Sequence, residues 1–137
     1  MASTIQLEVV TPDRLVFSEP VTFFSLRGLA GELGVLPGHI PLFTALDPGL
    51  LHYRTESGEN KVITVMGGFL NVQPTKATVL ADAAERAEDI DAARAKLAKD
   101  RAEQQASLVN GAAEQAALDR AILRLKAVET LHARVGR

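Results

Sequence analysis

Apolar and polar positions trade places residue by residue near the start of the chain, where Ile5, Leu7 and Val9 alternate with Gln6, Glu8 and Val10. A period of two puts successive side chains on opposite faces of a strand, so one face of this segment is suited to burial. Thr11-Pro12-Asp13 then supplies a turn. Further strand-like runs follow at short spacing: Val21 to Leu26, Leu50 to Thr55, Lys61 to Met66, Phe69 to Val72 and Ala77 to Ala81. Glu56-Ser57-Gly58-Glu59-Asn60 and Gln73-Pro74-Thr75-Lys76 have the residues of hairpin turns. Several short strands with Gly/Pro turns and no helix between them predict a β-sandwich or small barrel in about 80 residues.

The grammar changes near residue 86. All six prolines and eight of the ten glycines precede it, whereas 14 of the 21 alanines follow it. Ala95, Ala98, Ala102, Ala106 and Val109 recur at spacings of three and four and draw one stripe along a helix. Asn110-Gly111 interrupts it, and Ala113, Ala117, Ala121, Leu125 and Val128, with Leu118 and Ile122 beside them, form a second stripe. The expected fold is therefore α+β: an N-terminal β-sandwich over residues 1–86, then a C-terminal antiparallel two-helix hairpin over 87–137.

An alanine seam has an energetic consequence. At roughly 0.8 kcal/mol per buried CH2 it holds far less tightly than leucine would, so the hairpin is expected to open cheaply. Ala, Lys, Glu and Arg favour helix intrinsically, so each helix can persist if another protein surface replaces its partner. Extended from Ile90 to Arg134, the segment would reach about 70 Å at 1.5 Å rise per residue.

Composition narrows the function. Apolar residues at 47% and charged residues at 23% describe a globular chain, and a formal charge of -2 marks no general nucleic-acid surface. Without cysteine, thiolate metal sites, disulfides and cysteine nucleophiles are excluded, and His39, His52 and His132 have no ligand spacing, so no metal site is expected. Met1-Ala2-Ser3-Thr4 leads straight into the first strand pattern, so no signal peptide is expected, and the most apolar stretches are too short or too interrupted for a membrane span.

No catalytic constellation is expected either: the chain contains no phosphate-binding glycine loop, no His-Glu-x-x-His and no Gly-x-Ser-x-Gly. The acidic cluster Glu88-Asp89-Ile90-Asp91 falls where a helix begins, which suits capping and the helix dipole better than acid–base chemistry. The segment from Gly31 to Phe43 mixes turn residues with Val35, Leu36, Ile40, Leu42 and Phe43, so it reads as a loop partly buried and partly an apolar contact surface. His39 within it suits a loop-stabilising hydrogen bond, or alternatively a ligand or base. Gly67-Gly68, between two strand runs, fits a bulge or a close backbone approach.

Four segments in order carry a likeness to a known family: Val9-Val10-Thr11-Pro12, Gly31-Glu32-Leu33-Gly34-Val35-Leu36-Pro37-Gly38-His39-Ile40-Pro41-Leu42, Met66-Gly67-Gly68-Phe69-Leu70, and Ala83-Ala84-Glu85-Arg86-Ala87-Glu88-Asp89-Ile90-Asp91. Followed by the Ala-rich helices, this series resembles the epsilon subunits of bacterial F-type ATP synthases over almost the whole chain. The resemblance implies a non-catalytic rotor subunit in the central stalk of a proton-translocating machine. It implies partners in the gamma subunit and the c-ring, and a peripheral place at the cytoplasmic face of the bacterial membrane. It also implies helices that either fold back or extend toward the alpha/beta catalytic hexamer and inhibit ATP hydrolysis there. The segment from Glu32 to Pro41 matches the family's ring-facing loop, so Glu32 and His39 are its implied c-ring contacts.

Some bacterial members bind ATP as a regulatory ligand through an Ile/Leu-Asp-x-x-Arg-Ala motif, which Ile90-Asp91-Ala92-Ala93-Arg94-Ala95 matches. By that resemblance the ATP positions are Glu85, Ile90, Asp91, Arg94, Arg101, Arg120 and Arg124. These residue types suit a nucleotide, because planar guanidinium groups make charge-assisted bonds to phosphate oxygens, and Glu85 or Asp91 can accept from the adenine amine. The same side chains also suit ordinary ion pairs within and between helices, and the basic run Arg120, Arg124, Lys126 and Arg134 suits acidic partner surfaces. A stand-alone adaptor or chaperone gripping clients with its Ala-rich helices is the rival reading, and a small hydrolase is a distant third.

Overall fold

β-Branched and aromatic residues form the strands and alanine-rich residues the helices, in that order, in the computed structural model, which describes residues 3–90, 92–108 and 112–135. The strands are β1 (Ile5–Val10), β2 (Leu15–Gly28), β3 (Gly31–Val35), β4 (Leu42–Thr55), β5 (Asn60–Val72), β6 (Lys76–Ala81) and β7 (Ala84–Arg86). A single 3-10 turn (Ala87–Asp89) precedes α1 (Ala92–Leu108) and α2 (Ala112–Val135). The chain divides into two compact units, residues 1–86 and 87–137.

In the first unit the strands run in the order β1-β6-β5-β4-β2-β3, and β1 also pairs with β2, which closes five of them into a ring. β1 is parallel to β6 and antiparallel to β2. β3 is added to the side of β2 and β7 to the side of β5. The ring encloses an aliphatic core that includes Ile5, Leu7, Val9, Leu51, Ile63, Leu70 and Val72, with Phe17 and Tyr53 in contact at 4.7 Å between ring centroids. The barrel-like sandwich expected from alternation is thus formed, and β1 shows the anticipated strict alternation of buried and part-buried positions.

Three expectations need correction. β2 and β4 are longer than the runs starting at Val21 and Leu50, because both continue through a proline. Pro20 lies where β2 hands over from β1 to β4, the former pairing as far as Val21 and the latter starting there. Pro48 falls where β4 departs from its β2 register, between the pairs Gly28–Leu46 and Ser25–His52, so the missing N–H breaks no regular ladder. The segment read as one loop from Gly31 to Phe43 contains β3 and the start of β4, leaving 36–41 as the turn. Finally, Lys61 to Met66 and Phe69 to Val72 are one strand, β5, which passes through Gly67-Gly68 without a break.

Gly68 shows why. Its φ of +118° is a glycine conformation, and a Cβ there would overlap the Leu80 carbonyl oxygen and sit 2.9 Å from the Ala81 Cα. Of the two readings of the glycine pair, close backbone approach is the one realised.

In the second unit α1 and α2 pack against each other and α2 also contacts the 3-10 turn. Positions 109–111, which include the Asn110-Gly111 break, lie outside the described residues. With three residues between helices in contact, the pair is antiparallel. Ala95, Ala102, Ala121 and Val128 of the two stripes are buried, Ala98, Ala117, Leu118 and Leu125 are half-buried, and Ile122 is exposed. Ala106, Val109 and Ala113 lie outside the described side chains. Ala127, fully buried, was not in either stripe: it sits about 100° around the helix from Val128, at the edge of the apolar arc.

Candidate functional site

The arginines expected to gather are distributed along the seam of the helical pair. Arg94 and Arg101 are exposed on α1, one residue before the buried Ala95 and Ala102 respectively, and Arg120 is exposed one residue before the buried Ala121. Arg124 is half-buried, with its Nε screened from solvent. Each guanidinium therefore springs from the border of the alanine seam. Equal counts back from the connection put Arg94 level with Lys126 and close to Arg124, and Arg101 level with Asp119 and Arg120. Alanine at the seam keeps the helices close, which brings cations from both helices to each level.

At the entry to α1 the 3-10 turn carries Glu88 and Asp89, and the Ile90 amide donates to the Ala87 carbonyl at 3.2 Å. Ile90 is buried. Asp91 lies outside the described residues. Glu85 belongs to the strand unit: it is half-buried on β7, and its backbone is held by Thr64, whose hydroxyl donates to the Glu85 carbonyl at 3.2 Å and accepts from the Glu85 amide at 3.1 Å.

The two expected ring-contact residues lie on either side of the end of β3, one on the strand and one in the turn after it. Glu32 is exposed near its start, opposite Arg27. His39 lies in the turn beyond its end, where Nδ1–H donates to the Ile40 carbonyl at 2.6 Å, since a carbonyl can only accept. That is the loop-stabilising role the sequence suggested. The turn is further held by the Gly38 amide donating to the Pro74 carbonyl at 2.9 Å, with Gly38 at a φ of +81°. Leu36 and Ile40 project from this turn into solvent.

One surface was missed. Register pairs Ala45 with Phe69, Phe69 with Leu80, Leu80 with Val10 and Val10 with Leu15, so these side chains share the outer face across β4, β5, β6, β1 and β2. Phe43, two residues from Ala45, joins the row and stacks on Phe69 with centroids 5.5 Å apart. Phe43, Leu15, Phe69 and Leu80 are 64%, 57%, 48% and 47% exposed. An exposed apolar row of this length is the kind of surface that marks a contact site. The signal was available in principle, since Phe69 and Leu80 alternate with the buried Leu70 and Val79, but alternation alone does not say which of two apolar rows faces inward. Among the described residues no three His, Asp or Glu side chains are gathered to hold a metal, and no helix is long and apolar enough to cross a membrane.

This architecture recurs in known proteins. Residues 4–87 match the model of the β-sandwich domain of the ATP synthase delta/epsilon chain. The class is thus that of the delta/epsilon chains of ATP synthases, whose β-sandwich domain the strand unit matches. The chain is 49% identical over 130 residues to the ATP synthase epsilon chain of Nitratidesulfovibrio vulgaris, covering 92% of this chain and 96% of that one. It is 46% identical over 133 residues to that of Desulforamulus reducens, covering 94% and 100%. Among solved structures it resembles a chain of the Euglena gracilis mitochondrial ATP synthase assembly of OSCP, F1 and c-ring, with a TM-score of 0.64 and 26% identity over 96% of this chain and 81% of that one. A chain of the Tetrahymena thermophila central stalk and c-ring shares the fold, with a TM-score of 0.55 at 12% identity over 92% and 97%. The protein belongs to the ATP synthase epsilon-chain family, a class of non-catalytic subunits.

Proposed function

We propose that this subunit works in the central-stalk rotor of a bacterial proton-translocating ATP synthase, peripheral to the cytoplasmic face of the membrane, and that its helical pair restrains ATP hydrolysis. The gamma subunit is the partner suited to the apolar row from Phe43 to Leu15, because a permanent rotor contact favours buried apolar area over charge. The c-ring is the partner of the β3 region, where Glu32, His39 and the exposed Leu36 and Ile40 offer polar and apolar contacts together. The alpha/beta hexamer receives the helices when they separate, as in the inhibitory arrangement the family resemblance implies.

ATP acts in this reading as a regulatory ligand and is not consumed. The observation that carries it is the set of arginines bordering an alanine seam at two levels of the helical pair. Arg94, Arg101, Arg120 and Arg124 would bind the phosphates, Glu85 or Asp91 the adenine amine, while Ile90 gives apolar contact. A ligand bound only by the closed pair stabilises it by mass action, so high ATP opposes the extended, inhibitory form. ATP titrated into the isolated chain should bind saturably, and Arg94→Ala or Arg124→Ala should weaken it at least tenfold, the loss of one charge-assisted phosphate contact. Absence of binding at millimolar ATP would remove the sensor role and leave the coupling role.

A further inference from the structure

We propose that residues 87–89 are a switch segment that exchanges the 3-10 turn for an extension of β7 along β5, an inference that rests on the reading above that the helical pair opens. β7 pairs with β5 from Ala84 opposite Val65 to Arg86 opposite Ile63, whereas β5 itself begins at Asn60. The last strand of the first unit thus stops three residues short of the end of its partner, and the next residue, Ala87, opens the second unit. No linker separates the two elements: Arg86 is paired with β5, and the 3-10 turn that starts at Ala87 packs on α2.

The register is fixed just before the switch. Thr64 is fully buried, and its hydroxyl donates to the Glu85 carbonyl at 3.2 Å and accepts from the Glu85 amide at 3.1 Å. In the same register the Met66 amide donates to the Ala83 carbonyl at 2.9 Å. Continued by three residues, this register sets Ala87 opposite Val62, Glu88 opposite Lys61 and Asp89 opposite Asn60. A carboxylate then faces an ammonium group and alanine faces valine, which are cross-strand pairs that stabilise a sheet. The turn draws instead on the Ile90 amide donating to the Ala87 carbonyl at 3.2 Å and on its contact with α2. While α2 is in place the turn is the arrangement formed. When the helices part, the contact with α2 is lost and the segment zips onto β5, so the same residues have two discrete arrangements and the helices decide between them.

The chain contains no cysteine, so two introduced thiols report one distance. In the full-length chain, Asn60→Cys with Asp89→Cys puts thiols on directly opposite residues of the extended strand, about 4.5–5.5 Å apart at Cα and within disulfide range. Asn60→Cys with Glu88→Cys is one residue out of register and puts them on opposite faces. Each pair is oxidised by glutathione disulfide with the native seam and with Val128→Glu. Equal counts from the connection put the buried Val128 level with Ala92, so a charge there parts the helices at the end next to the turn, seen as an earlier loss of dichroism at 222 nm. The 60–89 disulfide is expected to form about tenfold faster with Val128→Glu than without, while the 60–88 rate changes little and Tyr53 dichroism shows the strand unit intact. Equal acceleration of both pairs overturns the strand extension, since a segment without register favours neither, and no acceleration of either overturns the switch. The inhibitory reading is tested separately by ATP hydrolysis of the assembled synthase carrying the oxidised 60–89 chain. If that disulfide forms as expected but hydrolysis is the same before and after its reduction, the inhibitory reading fails and the switch stands.

Discussion

Replacing Gly68 by alanine should unfold the strand unit far more readily than the loss of one hydrogen atom suggests. Two effects add. A φ of +118° is strained for any residue with a Cβ, at about 1–3 kcal/mol. The new methyl group would also overlap the Leu80 carbonyl oxygen and approach the Ala81 Cα to 2.9 Å, and both are backbone atoms of a paired strand that cannot swing aside. Separating β5 from β6 resembles overpacking a core, about 1–3 kcal/mol. The sum is about 2–6 kcal/mol, or a fall in Tm of roughly 10–50 °C for a unit of this size. Gly31→Ala is the control, since its φ is +128° but nothing lies within 4 Å of the added Cβ; it should lose about 1–3 kcal/mol. Tyr53 reports the transition cleanly: it is the one tyrosine of a chain without tryptophan, and it is buried in the strand unit against Phe17. Near-ultraviolet dichroism of Tyr53 followed through heating or denaturant gives both values. Equal losses in the two variants would refute the steric half of the reasoning.

A chain ending at Arg86 should keep a cooperative Tyr53 transition, because residues 1–86 form a compact unit with their own core; a flat melt would contradict that autonomy. Changing Phe43 and Phe69 together to aspartate should alter stability by less than about 2 kcal/mol, since both rings are largely exposed, yet weaken binding to the gamma subunit at least tenfold; undiminished capture of purified gamma would exclude the row from that interface. Ala95→Leu should destabilise the helical pair by about 1–3 kcal/mol, seen as an earlier loss of dichroism at 222 nm, because Ala95 is fully buried; an unchanged helix melt would mean the seam has room to spare. Deleting residues 87–137 should raise ATP hydrolysis by the assembled synthase while proton coupling persists, and hydrolysis at the parental rate would count against inhibition by the helices.

Sequence pattern revealed the division at residue 86 because Gly and Pro, which punctuate strands, and Ala, which favours helix, segregate in the chain. It misjudged strand lengths for the same reason: Pro20 and Pro48 signal an end locally, whereas β2 and β4 absorb them where they change partner or register. Gly67-Gly68 looked like a gap between strands, yet a glycine is what lets β5 run on past Leu80. At the candidate nucleotide site, spacing on a helix was enough to put Arg94 and Arg101, and likewise Arg120 and Arg124, at the border of a seam. The contact of Thr64 with the Glu85 backbone was invisible because it joins positions 21 apart on separate strands, and such a pairing leaves no local trace. Ala127 escaped because it is off the i, i+3, i+4 stripe, and a second contact surface on one helix blurs a single period.

The closure of the strands through β1 has a mechanical meaning. β1 is bonded on both sides, with β6 along five residue pairs and with β2 along six, so it has no open side from which it can be peeled. A force along β1 must break both ladders together in shear, with its load shared over many bonds, whereas β3 and β7, each attached along one side, can unzip a bond at a time. The ring is thus stiff and its two appended strands compliant. In the rotor role proposed above, such a ring would carry torque with little twist of its own, leaving elastic give to the strands at its margins.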